Sequence, residues 1–194
     1  MIASHHQPIW QRARPYLQTR SNERHTSYCY VFAQQLLALH PDADAEIVLP
    51  ALLLHDVGWS TVPEEKQLLA FGPNMRYPEL RRQHETEGVR IAGEILAGLG
   101  WTTEQIVPIT AIIDGHDTRK ESLSLNDALV KDADKLWRYT PFGLETVGGW
   151  FGYTTAEQLN LLEKWLGYRF YTETAVHMAR GLLANLILRI AESK

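Results

Sequence analysis

An all-α fold follows from three features of the sequence. Apolar residues recur at helical spacing, no stretch longer than a few residues alternates apolar and polar as a half-buried strand would, and Pro, Gly, Ser and Thr fall where helices start and stop. The first helix starts after Ser21 or Asn22, either of which can cap it. It turns Tyr28, Phe32, Ala33, Leu36 and Leu37 inward, and Pro41 follows its end. The next begins near Asp44 and reads AEIVLPALLLHDVGW, apolar on nearly every side until His55 and Asp56. From Pro78, a good first-turn residue, ELRRQHETEGVRIAGEILAGLG makes a long amphipathic helix closed by Gly98 and Gly100. Thr102 or Thr103, with Glu104 or Gln105, starts TTEQIVPITAIIDGHD, which ends around Gly115 with His116 at its exit. SLNDALVKDADKLWRY gives another helix, with Leu125, Leu129, Ala133 and Leu136 inward and Asp134 near its middle. From about Thr140 the reading is a loop carrying Gly148 and Gly149, a helix from Thr155, and a final helix to Glu192.

A chain of 194 residues with 45% hydrophobic content suits one globular unit, taken here as 1–194. Nineteen Lys plus Arg against twenty-three Asp plus Glu give a net charge of -4 and no global reason to expect nucleic-acid binding. A small diffusible substrate fits better. The N-terminus lacks a signal-peptide segment, and no window supplies the roughly 20 apolar residues of a membrane span, so a soluble, cytoplasmic protein without a membrane partner is expected. One cysteine, Cys29, excludes a disulfide framework and a cysteine-rich zinc site. The sequence leaves the oligomeric state open, with a homodimer as one option.

The pair His55–Asp56 ends an otherwise apolar run, where burying an ionised carboxylate costs several kcal/mol unless a positive group compensates it. A metal is an economical compensation. Imidazole and carboxylate suit borderline divalent ions: iron first, then manganese, cobalt, nickel or zinc. His25, His84 and His116 also stand beside apolar positions, and the series 25, 55, 84, 116 is spaced by 30, 29 and 32 residues, each interval fitting one helix plus one turn. Of the other histidines, His5 and His6 read as terminal polar residues and His40 as a helix-end residue. His177 lies on a long helix facing an unidentified neighbour.

This ordered set resembles the HD superfamily of metal-dependent phosphohydrolases over roughly Glu23 to Tyr139. ALLLHDVGW is similar to its defining helix end, NERHTSYCYVFAQQLL to its first ligand helix, and ALVKDADKLWRY to the segment that supplies its last aspartate. The resemblance implies a compact helical bundle with the metal site in its core, a motif core over 21–140 and a helical extension over about 141–194. It also implies two divalent metal ions held by His25, His55, Asp56, His84, His116 and Asp134, with Asp56 as the bridge and the catalytic centre on His55 and Asp56. DAD offers both Asp132 and Asp134, which cannot point the same way on a helix. Asp134 is the choice because it precedes Lys135 and Leu136 as the family aspartate commonly does. Asp132 is then left to face solvent or to orient a histidine.

The implied reaction is hydrolysis of a small phosphorylated substrate, with the cations lowering the pKa of a shared water to near neutrality. Lys135, Arg119 and Arg24 are candidates to neutralise the phosphate. HDVGWSTVPEE and HETEGVRIAGEIL resemble the HD-GYP phosphodiesterases, but Trp59 stands where that type has a lysine and the GYP loop is missing after His116, so cyclic di-GMP hydrolysis is not expected. The His116 to Asp134 spacing is closer to that of small bacterial dinucleoside-polyphosphate hydrolases, which mildly favours a nucleotide. Two alternatives stand beside this reading: a mixed-valent di-iron oxygenase of the same ligand pattern, and a non-catalytic ligand-sensing domain. The aromatic cluster Trp137, Tyr139, Phe142, Trp150, Phe151 and Tyr153 reads as core or as the roof of a pocket, with Trp150 a candidate substrate contact. The glycine-bearing stretch TPFGLETVGGWFGY reads as a mobile lid.

Overall fold

The computed structural model describes residues 2–192, and among them it has ten α-helices and no strand. The expected all-α fold is present. Helix α1 spans Gln7–Ala13, α2 Asn22–Leu39, α3 Ala45–Leu54, α4 Glu64–Gln67 and α5 Pro78–Ala97. Then follow α6 Thr103–Ile113, α7 Leu125–Leu136, α8 Pro141–Phe151, α9 Thr155–Trp165 and α10 Glu173–Glu192.

Local chemistry accounts for most of the boundaries. Asp44 caps α3 by accepting from the Glu46 N–H at 2.8 Å. The Gln105 side chain accepts from the Thr102 N–H at 2.9 Å at the start of α6. At the start of α7, Ser124 accepts from the Asp127 N–H at 3.3 Å. Helix α2 begins where expected but by another means: Ser21 adopts a left-handed backbone conformation with φ of 62° and makes no side-chain cap. Asp134 falls in the last turn of α7 rather than near its middle.

Helix α3 is apolar all round, so it can only be an interior helix, and every residue from Val48 to Leu54 is buried. Helices α2, α6 and α7 pack around it, and α5 packs on α6. One hydrophobic cluster runs from Ile9 on α1 to Leu186 on α10. Three inward assignments weaken, since Tyr28, Leu37 and Leu125 are only partly buried at the edge of that cluster.

The chain leaves α3 through the buried pair His55–Asp56 into a 3-10 turn, Val57–Thr61, laid directly against α5. Gly58 makes that approach feasible. A Cβ there would lie 1.9 Å from the His84 carbonyl oxygen and 2.5 Å from the Gly88 nitrogen. The two glycines therefore bring the His55–Asp56 corner against the turn of α5 that carries His84.

Two segments differ from the sequence expectation. The stretch read as a glycine-bearing loop or lid is helix α8, capped by Thr140, whose hydroxyl accepts from the Gly143 N–H at 3.1 Å, with Pro141 in its first turn and Gly152 ending it at φ of 68°. Gly143 costs helix propensity but allows backbone contact, because a Cβ there would sit 2.2 Å from the Trp137 carbonyl oxygen. His6 is not a terminal polar residue. It is buried at the start of α1, with its Nδ1 2.8 Å from the Tyr30 hydroxyl. His40 does end α2, and His177 on α10 faces outward.

Gly58→Ala is expected to lower stability by about 3 kcal/mol through backbone overlap, whereas Gly93→Ala, on an open face of α5, should raise it by about 0.5–1 kcal/mol. Urea titrations of both variants check the pair. Burial, aided by the charge of His5, holds the His6 pKa below its ordinary value. The fold thus favours the neutral ring, and this contribution is complete above about pH 6.5 and lost as the pH falls through that value toward the depressed one. The drop in melting temperature between pH 7.5 and 5.5 should be smaller in His6→Phe than in the parent protein.

Candidate metal centre

Five segments deliver the six residues singled out in the sequence. His25 comes from the first turn of α2, His55 and Asp56 from the end of α3, His84 from α5, His116 from the turn after α6, and Asp134 from the last turn of α7. All six come together. The His25 Nε2 lies 3.2 Å from the His55 Nε2, 3.3 Å from an Asp134 oxygen and 3.4 Å from Asp56 Oδ2. On the other side the His84 and His116 Nε2 atoms are 3.4 Å apart, and His116 Nε2 is 3.6 Å from Asp56 Oδ1. Asp56 thus stands between two groups, with one carboxylate oxygen toward each.

The ring orientations are fixed from behind. His55 Nδ1 donates to the Leu52 carbonyl at 2.7 Å and His116 Nδ1 to the Ile113 carbonyl at 2.9 Å. A carbonyl only accepts, so Nδ1 carries the proton in each ring and a neutral ring presents the Nε2 lone pair to the centre. The Nε2 atoms of His25 and His84 approach those lone pairs at 3.2 and 3.4 Å, distances that need a proton or a cation between the two nitrogens. The donor set therefore fits divalent metal. His25, His55 and Asp134 can converge on one ion, as can His55, Asp56 and His116, and His84, His116 and Asp117.

The electrostatics concentrate negative charge at the centre. Burial opposes ionisation of Asp56, but the neighbouring His55, His116 and His25 outweigh it and hold its carboxyl well below the usual range. Asp134 behaves likewise through its contacts with His25 and His55. Burial and the nearby His116 push His84 down to about 4, while for His116 the contact with Asp56 and the charge of Asp117 overcome burial and lift it to about 9. Trp59 ties these parts together: its Nε1 donates to Asp56 Oδ1 at 3.1 Å, and its ring stacks on His84 at 4.0 Å.

The centre opens into a cavity of about 430 Å³. Trp59, Phe71, Trp137, Trp150, Tyr153 and Trp165 contribute aromatic wall, and Arg20, Arg81, Lys135, Arg138 and Arg169 contribute cations. Of the sequence candidates for substrate contact, Lys135 and Trp150 line the cavity, Trp150 from helix α8 rather than from a loop. Arg119 and Arg24 do not. Arg119 is held by the Asp114 carbonyl and by Asp127 at 3.0 Å, and Arg24 lies exposed over the Phe142 ring at 4.1 Å. Asp132 neither faces solvent nor orients a histidine. It is buried and accepts from the Tyr171 and Thr172 N–H groups at 2.8 and 2.9 Å, anchoring the entry to α10 on α7.

Sequence reasoning missed Asp117, whose carboxylate lies 3.7 Å from His84 Nε2. A signal was present, since His116–Asp117 repeats the dipeptide of His55–Asp56. Arg20, Arg81 and Arg138 were also missed, and no local pattern marks them.

A family model for the HD domain matches residues 23–138, more than half of the chain. The chain belongs to the HD-domain family. Over a longer span the fold is similar to that in the crystal structure of a predicted HD superfamily hydrolase from an uncultured Thermotogales bacterium, which superposes with a TM-score of 0.65 at 19% identity, covering 97% of this chain and 90% of that one. No curated protein matches the sequence. No helix among the described residues is long and apolar enough to cross a membrane.

Replacing Arg119 leaves the buried Asp127 carboxylate without its closest cation. Arg119→Met should therefore cost about 2 kcal/mol in chemical denaturation while leaving metal content at the parental level.

Proposed function

We propose that this HD-domain protein is a metal-dependent hydrolase that cleaves a phosphate ester or anhydride of a small molecule. The observation that carries the reading is the convergence of His25, His55, Asp56, His84, His116 and Asp134 on one centre that opens into a cation-lined cavity. In this reading two divalent ions are held there, iron before manganese, cobalt, nickel or zinc. His25, His55 and Asp134 serve one, His84 and His116 the other, and Asp56 both. Such ions supply Lewis acidity and lower the pKa of a bound water.

The protein's own groups do the rest. The carbonyl contacts behind His55 and His116 keep both Nε2 atoms aimed at the centre, and the indole N–H of Trp59 orients Asp56. Lys135, whose Nζ donates to the Lys131 carbonyl at 2.8 Å, and Arg138 place positive charge beside Asp134, where phosphate oxygens would lie. The aromatic wall excludes water and offers planar faces, which favours a nucleotide among phosphorylated substrates.

Metal analysis of protein purified without added metal, alongside His55→Ala and His84→Ala, followed by phosphate release from a nucleotide panel, tests the proposal. About two ions per chain, falling sharply in both variants, together with phosphate release, is the expected result. One ion lost in His55→Ala but retained in His84→Ala would overturn the dinuclear part. Oxygen uptake without phosphate release would replace the hydrolase with the oxygenase.

A further inference from the structure

The turn that leads into α2 has features that its role in helix initiation does not explain. Arg20 and Ser21 both adopt left-handed backbone conformations, with φ of 49° and 62°. Neither is glycine, and such residues cost energy that folded proteins tend to tolerate at binding or reacting sites. The turn directs the Arg20 side chain into the cavity beside the metal centre. There its guanidinium lies 4.5 Å over the Trp59 ring, 5.1 Å from Phe71 and 5.5 Å from Trp150.

One end of the guanidinium is fixed and the other is not. Nε donates to Gln67 Oε1 at 2.5 Å, and Gln67 is itself anchored by donating to the Trp59 and Val62 carbonyls. Nη2 is buried and has no hydrogen-bond partner. No carboxylate among the described residues forms an ion pair with Arg20; Asp56 and Asp117 act on it only at longer range. Two residues on, Asn22 lines the same cavity, is 2% exposed, and its Nδ2 is likewise buried without a partner. Two unsatisfied buried donors on residues that line one cavity, one of them charged, are each costly unless a ligand supplies acceptors. Cations bound at Asp56 would also withdraw the carboxylate that offsets Arg20 at a distance.

We infer that Arg20 and Asn22 form an oxyanion-binding arm beside the metal centre, taking oxygens of the substrate's phosphate or of a second anionic group on the same molecule. Arg20 thereby supplies positive charge beside the metal centre, and the Trp59 ring is the platform that carries it. The assignment of phosphate rests on the hydrolase reading, whereas the assignment of an anion rests on the two orphan donors alone.

Inorganic phosphate is the probe, titrated into metal-loaded full-length protein and followed by calorimetry. Arg20→Gln removes the charge, Asn22→Asp replaces an isosteric donor with a repelling carboxylate, and Arg24→Gln, outside the cavity, is the control. Arg20→Gln and Asn22→Asp should each weaken phosphate binding tenfold or more with metal content and melting temperature preserved, and Arg24→Gln should leave it unchanged. Affinity within twofold of the parent in both cavity variants would overturn the proposal. If Arg20→Gln does not fold, Arg20→Lys decides by the same criterion, since a lysine lacks the fork that reaches past Gln67. Weakened phosphate binding in a protein that hydrolyses no phosphoester would keep the arm and remove the hydrolase. Phosphoester hydrolysis with parental phosphate affinity in the variants would do the reverse.

Discussion

The Asp56 carboxylate is buried at the end of an apolar helix, between the imidazoles of His55 and His116. A charge in that position has to be matched within a few ångströms or the fold loses several kcal/mol. Much of the architecture supplies that match. Helix α2 brings His25, α5 brings His84, the turn after α6 brings His116, and the surrounding rings favour the ionised carboxylate. The same arrangement turns imidazole and carboxylate ligand atoms from several elements toward common points, which is why the centre reads as a place for divalent ions.

Precision at this centre depends on backbone contacts more than on side-chain packing. Gly58 and Gly88 let the turn after Asp56 press against α5, and the carbonyls of Leu52 and Ile113, each three residues before the histidine it holds, set the His55 and His116 rings. Neighbouring charges follow the same economy. Asp127 and Asp132 are buried close to the site in sequence, yet they hold Arg119 and the start of α10, so the α7 face toward the centre is left to Asp134.

The cavity divides into a rigid aromatic wall and a ring of cations, and different elements supply them. Helix α8 gives Trp150, the 3-10 turn gives Trp59, and the strained turn before α2 gives Arg20. A site assembled this way can vary its substrate through the elements flanking the ligand set without altering the ligands themselves. At position 59 an indole donates to Asp56, stacks on His84 and carries the Arg20 guanidinium over its ring.

The sequence by itself determined the helical class, the order of the long helices from α2 to α7, and the six residues that meet at the centre. Each rests on a local or periodic signal: an apolar run interrupted by His55–Asp56, and histidines recurring at one helix-and-turn spacing. It misjudged α8, because three glycines within it lower helix propensity and nothing local reveals that Gly143 is needed for contact with Trp137. Tertiary structure alone decided which charged residues face the cavity. Arg24 and Arg119 are the same residue type as Arg20, and their neighbours in sequence are no less suitable. What separates them is the direction of a side chain leaving a left-handed turn and the presence of Asp127 or Phe142 to take it up elsewhere. Periodicity fixes which face of a helix a residue occupies. The path of a long side chain from an irregular turn depends on packing between segments far apart in the chain.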